Sequence, residues 1–172
     1  MPKIISLIVL ASMLTGCLGS GTFRAYEGEA RPAMQLAILD GEEYLRQDWL
    51  NRYVDSVRFS RVDGKQIEES AVYESIEIAP GYHDVTVYFY WDMGSQRGLA
   101  PALVSYASTR DTLSRTLRFN ARAGERYTVH AQPRFGDGRR DITTLIQVDF
   151  WIEDDDGNVI VTPEDGRYVP AP

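Results

Sequence analysis

From Ser75 to Trp91 the chain reads in twos. Ile76 and Ile78 share a parity with Glu77 between them, and Ala79-Pro80-Gly81 interrupts as a turn. His83, Val85, Val87, Phe89 and Trp91 then point one way, while Tyr82, Asp84, Thr86, Tyr88 and Tyr90 point the other. Apolar alternation with period two marks a β-strand, and bulk on both faces suits a central strand with one dry side. The same period recurs along the chain. Val57 to Val62 leads into Asp63-Gly64, a strong short hairpin signal, and Lys65 onward returns. Met34 to Leu39 is a short apolar run, and Leu113, Leu117 and Phe119 lie on a further strand. Ala123-Gly124-Glu125 turns, Tyr127 to Ala131 runs back, and Ile146 to Ile152 alternates as far as Phe150. Asp154 to Gly157 turns again before Val159 to Val161. Short strands separated by turn signals predict a mostly β fold, a single antiparallel β-sandwich of seven or eight strands.

Two segments break the period. Leu45, Trp49 and Tyr53 fall at i, i+4 and i+8 within 42–54, with Leu50 and Val54 beside them, which predicts one short amphipathic helix. Residues 94–109 form a long connection in which Gly94, Gly98 and Pro101 surround Leu99, Leu103, Val104 and Tyr106. Connections of this length are uncommon in compact domains and are often functional, so Leu99, Leu103 and Tyr106 are candidate partner contacts; a lid over one end of the sandwich is the plainer reading. Residues 163–172 contain three prolines and little to bury, and are expected to be a flexible tail.

The N-terminus follows a different rule. Lys3 precedes the uncharged run Ile4 to Leu14, too short for the ~20 apolar residues of a membrane span and arranged as a helical secretory signal. Leu14-Thr15-Gly16-Cys17 resembles the lipobox of bacterial lipoproteins at all four positions. That resemblance implies cleavage after residue 16, a diacylglyceryl group on the Cys17 sulfur and an acyl group on its new amine (palmitate is expected among the chains). Two or more chains give stable anchoring where one does not. Leu18 stands where inner-membrane retention usually has Asp, so the resemblance implies a cell-envelope protein anchored to the outer membrane and facing the periplasm. In an organism with one membrane, the same anchor places it on the outer face. An ordinary secretory peptide that happens to contain a cysteine is the alternative reading.

This removes the only cysteine from thiol chemistry, and with it disulfides and thiolate metal sites. Of 18 Lys and Arg, Lys3 leaves with the signal, so 17 face 25 acidic residues, a balance of −8 over the remaining 156 residues. An acidic chain with no long basic run is a poor nucleic-acid binder. The organisation expected is therefore a signal peptide over 1–16, a lipidated Gly/Ser tether over 17–22, a β-sandwich domain over 23–162 and the tail.

Ile76, Ile78, Pro80-Gly81, His83, Val85 and Val87 together resemble the Pro-Gly hairpin of PEGA-type and prealbumin-like β-sandwich modules of bacterial surface proteins. Arg24 to Gly28, Val62-Asp63-Gly64, Phe119 to Tyr127 and Trp151 to Gly157 fit a broader pattern of small, uncharacterised proteobacterial envelope lipoproteins. The resemblance implies an immunoglobulin- or prealbumin-like fold and carries no active site with it.

Site chemistry is sparse. His83 and His130 are the two histidines, and no motif arranges carboxylates or a nucleophile around them; no catalytic residue, metal or cofactor is expected beyond the lipid at Cys17. Asp154, Asp156 and Asn158 have the i, i+2, i+4 spacing of a calcium loop, with Asp165 at the twelfth position. Val159 stands where that loop needs Gly, so an acidic hairpin turn is the plainer reading and calcium bound only weakly the alternative. Arg134, Arg139 and Arg140 form a small basic loop that could face phosphate or an acidic glycan, or lie solvated beside Asp137 and Asp141. Tyr82, Tyr88 and Tyr90 could form a glycan or partner face. The expected function is a non-catalytic structural or partner-binding module of the envelope; glycan binding is the alternative, and a hydrolase comes third.

Overall fold

The computed structural model describes residues 21–47, 49–50, 52–70, 72–91, 114–136 and 144–169. Among them are eleven strands in two sheets and no α-helix. The strands are β1 Gly21–Arg24, β2 Ala37–Gly41, β3 Glu43–Gln47, β4 Arg52–Val62, β5 Lys65–Gln66 and β6 Tyr73–Ile78. They continue with β7 Gly81–Tyr90, β8 Ser114–Ala121, β9 Arg126–Phe135, β10 Leu145–Asp154 and β11 Val159–Tyr168. One sheet has the order β1-β6-β2-β9-β10-β11. The other has β3-β4-β7-β8, with β5 pairing β4. The core draws on both sheets: Leu39, Ile76, Ile78, Val129, Val148, Phe150 and Ile152 from the first, and Val57, Phe59, Val85, Val87, Leu117 and Phe119 from the second. In each strand these are alternate positions, as the period-two reading requires.

The expectation of purely antiparallel pairing is corrected. β1 pairs β6, and β2 pairs β9, in parallel register, so the six-stranded sheet is mixed. At Gly41 and Glu42 the chain leaves one sheet for the other. The Glu42 N–H donates to Val129 O at 2.9 Å, and Glu42 O accepts from Val57 N at 2.9 Å. A Cβ at Gly41 would lie 2.1 Å from Val57 O, so only glycine admits this approach of backbones. β2 and β9 start side by side, with Gly124 N donating to Leu36 O at 2.7 Å and Ile38 N to Glu125 O at 3.0 Å, so they run the same way.

The helix expected over 42–54 is not present; β3 and the start of β4 form a hairpin there, pairing Glu43 with Ser56 through to Gln47 with Arg52. Residues spaced four apart satisfied a helical stripe, but Tyr53, Asp55, Val57 and Phe59 also satisfy period two, and the continuous core beyond Val54 decides for strand. Residues 163–168 likewise belong to β11 rather than to a tail. Gly166 pairs Phe150, and a Cβ there would meet Phe150 O at 1.9 Å, so the glycine lets β11 close over β10.

The two ends of the body differ. Four tight connections gather at one end: Asp63-Gly64, Ala79-Pro80, 122–125 and 155–158. Asp63 and Gly64 both take positive φ, 51° and 79°, as an Asp-Gly hairpin turn demands. At the other end lie Gly21, the tip between Gln47 and Arg52, Trp91, Ser114, Phe135 and Leu145.

Candidate functional site

The outer face of the mixed sheet carries a belt of charge. Strands β9 and β10 project Thr128, His130, Arg134, Asp149, Trp151 and Glu153 on the parity opposite to the core, and Glu42 joins them from just past the end of β2. His130 is its centre. Its Nδ1 donates to the Glu42 carboxylate, its Nε2 lies 3.5 Å from Glu153 Oε2, and its ring stacks on Trp151 with centroids 4.9 Å apart and planes 15° apart. Trp151 Nε1 in turn donates to Glu153 Oε1 at 2.8 Å. Nearby, the half-buried Tyr44 accepts from the Ala131 N–H through its hydroxyl, and burial pushes that hydroxyl well above the usual phenol range. The two carboxylates sit on opposite sides of the imidazole, so their oxygens and the ring nitrogens do not converge on one point. Among the described residues, no group of His, Cys, Asp and Glu is arranged to hold a metal ion.

One register step further along, Asp149 is 1% exposed and fully engaged. It accepts from Arg167 Nε at 2.7 Å, from Gln147 Nε2 at 2.7 Å and from Arg134 Nη2 at 3.1 Å. Burial by itself would raise the Asp149 carboxyl. The hydrogen bonds from Arg167 and Gln147 and the charges of Arg167 and Arg134 outweigh it, and the group titrates below the ordinary carboxylate range. Arg134, read in the sequence as part of a basic loop, is thus committed to a carboxylate; Arg139 and Arg140 lie outside the described residues.

The remaining sequence candidates separate. His83 enters β7 half-buried, with Nε2 2.7 Å from Ala79 O and Nδ1 2.7 Å from Asp63 Oδ2, which ties two turns together. Neither histidine has a serine, threonine or cysteine among these partners. Tyr82, Tyr88 and Tyr90 do not form one exposed row: Tyr82 is 75% exposed, while Tyr88 is 1% exposed with its hydroxyl 3.1 Å from Ser70 Oγ. Asp154 is a turn-former. Asn158 donates to it from both its side chain and its backbone N–H, with Asp156 N adding a third contact, and these bonds hold its carboxyl below the usual range. Asn158 turns its amide nitrogen, a donor, toward Asp154, so these two residues close the acidic hairpin turn on each other. Asp165, the twelfth position, accepts instead from Thr162 Oγ1 at 2.7 Å. Cys17, Leu99, Leu103 and Tyr106 lie outside the described residues.

Two features escaped the sequence reading. The linkage of Glu42 to His130 joins residues 88 apart, and no local spacing signals it. On the other sheet, Arg58 is 8% exposed with Nε and Nη1 unpartnered, beside an equally unpartnered Ser56 Oγ. Arg58 Nη2 alone reaches carboxylates, Glu43 at 3.4 Å and Glu74 at 4.0 Å. The alternation of Ser56 and Arg58 against Val57 and Phe59 was the available signal, but it reads as an exposed face. Compared with known proteins, the chain matches no family model, no curated protein and no solved structure.

Proposed function

We propose that this protein is a lipid-anchored lipoprotein of the cell envelope whose two sheets form a prealbumin-like β-sandwich acting as a non-catalytic structural or partner-binding module. The observation that carries the reading is Leu14-Thr15-Gly16-Cys17 behind a short basic and apolar leader. The direction of β1 is compatible with it. β1 runs parallel to β6 from Gly21, opposite Tyr73, so the chain enters the body from the end remote from the tight turns. Ionisable side chains on the outer face of the mixed sheet pair with one another, Glu42 with His130 and Asp149 with Arg134 and Arg167, which suits a positioning surface.

The anchor is tested by cell fractionation and by mass analysis of the mature N-terminus. Wild type should sediment with membranes and carry the acyl mass at Cys17, and Cys17→Ala should accumulate as the unprocessed chain. A Cys17→Ala protein that is processed and still sediments overturns the anchor. The module reading is tested by photo-crosslinkers at Leu99, Leu103 and Tyr106 in living cells, with specific adducts expected; their absence, or turnover of a substrate by purified protein, overturns it.

A further inference from the structure

The tip of the β3–β4 hairpin is unusual for a soluble surface. Trp49 is 90% exposed and its neighbour Leu50 is 69% exposed. The hairpin that carries them is stiff at its base. Arg46 makes a two-pronged ion pair with Asp55, at 2.9 and 3.2 Å, and its guanidinium lies over the rings of Tyr53 at 4.4 Å and Trp91 at 5.1 Å. Tyr44 packs on Phe89, which meets Trp91 edge-on, and Trp91 meets Phe135. A large apolar pair is thus held out on a braced stalk. Exposed apolar side chains also occur at the tight-turn end, namely Met34, Tyr82, Val159 and Ile160, but none of them is carried on a projecting hairpin tip. At the hairpin end Val72, Ile146 and Val169 accompany the adjacent Trp49 and Leu50.

Chain geometry says what could cover this tip. Gly21 pairs Tyr73, and Ser75 pairs Asp40, so Gly21 is about level with Glu42. Gln47 lies five residues further in the direction from which the chain enters, roughly 17 Å at about 3.3 Å per residue. Cys17 is four residues before Gly21, a reach of roughly 14 Å at full extension. A bilayer that holds acyl chains on Cys17 therefore lies no higher than about the level of the hairpin tip. Tryptophan favours the headgroup level of a membrane, where its ring is apolar and its N–H stays wet.

We infer that Trp49 and Leu50 seat in the lipid interface beside the anchored Cys17, making the β3–β4 hairpin a second membrane contact that sets the orientation of the body. This rests on the anchor proposed above. The occupant is a lipid surface, because the short tether brings the bilayer that holds Cys17 to about the level of this tip.

The test uses the full-length lipidated protein in vesicles of phosphatidylethanolamine and phosphatidylglycerol containing a lipid with a shallow doxyl label. The Trp49 emission is taken as the difference between wild type and Trp49→Phe, since Trp91 and Trp151 are common to both. It should shift to the blue on reconstitution and lose most of its intensity to the quencher. A lipidated protein whose Trp49 emission neither shifts nor quenches overturns the membrane seat and leaves the anchor standing. A chain that lacks the acyl mass at Cys17 overturns both. A photo-crosslinker at position 50 that captures a protein or a second copy of the chain in cells, in place of lipid, also overturns the seat.

Discussion

Asp149 and Arg58 are both buried charges on outward-facing positions of strands, and their surroundings differ in completeness. Asp149 has both oxygens occupied, by Arg167, Gln147 and Arg134. Arg58 uses one nitrogen on two distant carboxylates and leaves Nε and Nη1 without an acceptor. Taking a charge out of water is repaid only when every lone pair or proton that loses water finds a partner. Asp149 is therefore expected to support the fold, whereas Arg58, whose guanidinium has only those carboxylates and the Tyr90 ring at 5.9 Å, is expected to add little or to weaken it locally while its aliphatic stem fills space.

That contrast can be broken by experiment. The largest effect is expected from Asp149→Ala. Arg134 and Arg167 are partly exposed and can be rehydrated, so the cost falls at the lower end for a broken buried pair, about 2 kcal/mol in urea denaturation. A loss below about 0.5 kcal/mol would show that the network is ornamental. Acid titration comes next. The folded Asp149 carboxyl titrates below its unfolded value of about 3.9, so its stabilisation is present above that pH and fades as pH falls through the lower folded value. Asp149→Asn should flatten the stability profile below about pH 4, and an unchanged slope there would assign the acid sensitivity to other carboxylates.

Tyr88→Phe removes the hydroxyl that meets Ser70 inside the same covered patch as Arg58, and should cost about 1 kcal/mol. Arg58→Met is the smallest effect and has the opposite sign. Glu43 and Glu74 are solvated and are not stranded by the change, so thermal unfolding should show unchanged stability or a gain of about 1 kcal/mol. A clear loss would mean that Arg58 is satisfied after all, and would erase the distinction between the two charges.

Much of the strand content was legible in the sequence. The alternation through Val85, Val87 and Phe89, the Asp63-Gly64 turn and the turns at Gly124 and Gly157 are local patterns, and each appears where the pattern put it. Leu45, Trp49 and Tyr53 misled because a stripe spaced by four is compatible with both periods, and the arbiter was a core built by distant strands. The tail was misread for a related reason. Pro163 and its polar neighbours offer nothing to bury by themselves, and their place in β11 comes from Gly166 fitting against Phe150.

What the sequence alone determined is the period of the clearly alternating segments, such as Val85 to Phe89, and the positions of the tight turns, because these depend on residues within a few positions of one another. Tertiary structure alone decided which strands run parallel, which outward charges are satisfied and which end carries the exposed Trp49. Those follow from pairings such as β2 with β9 and Glu42 with His130, which join distant parts of the chain and leave no mark on local spacing.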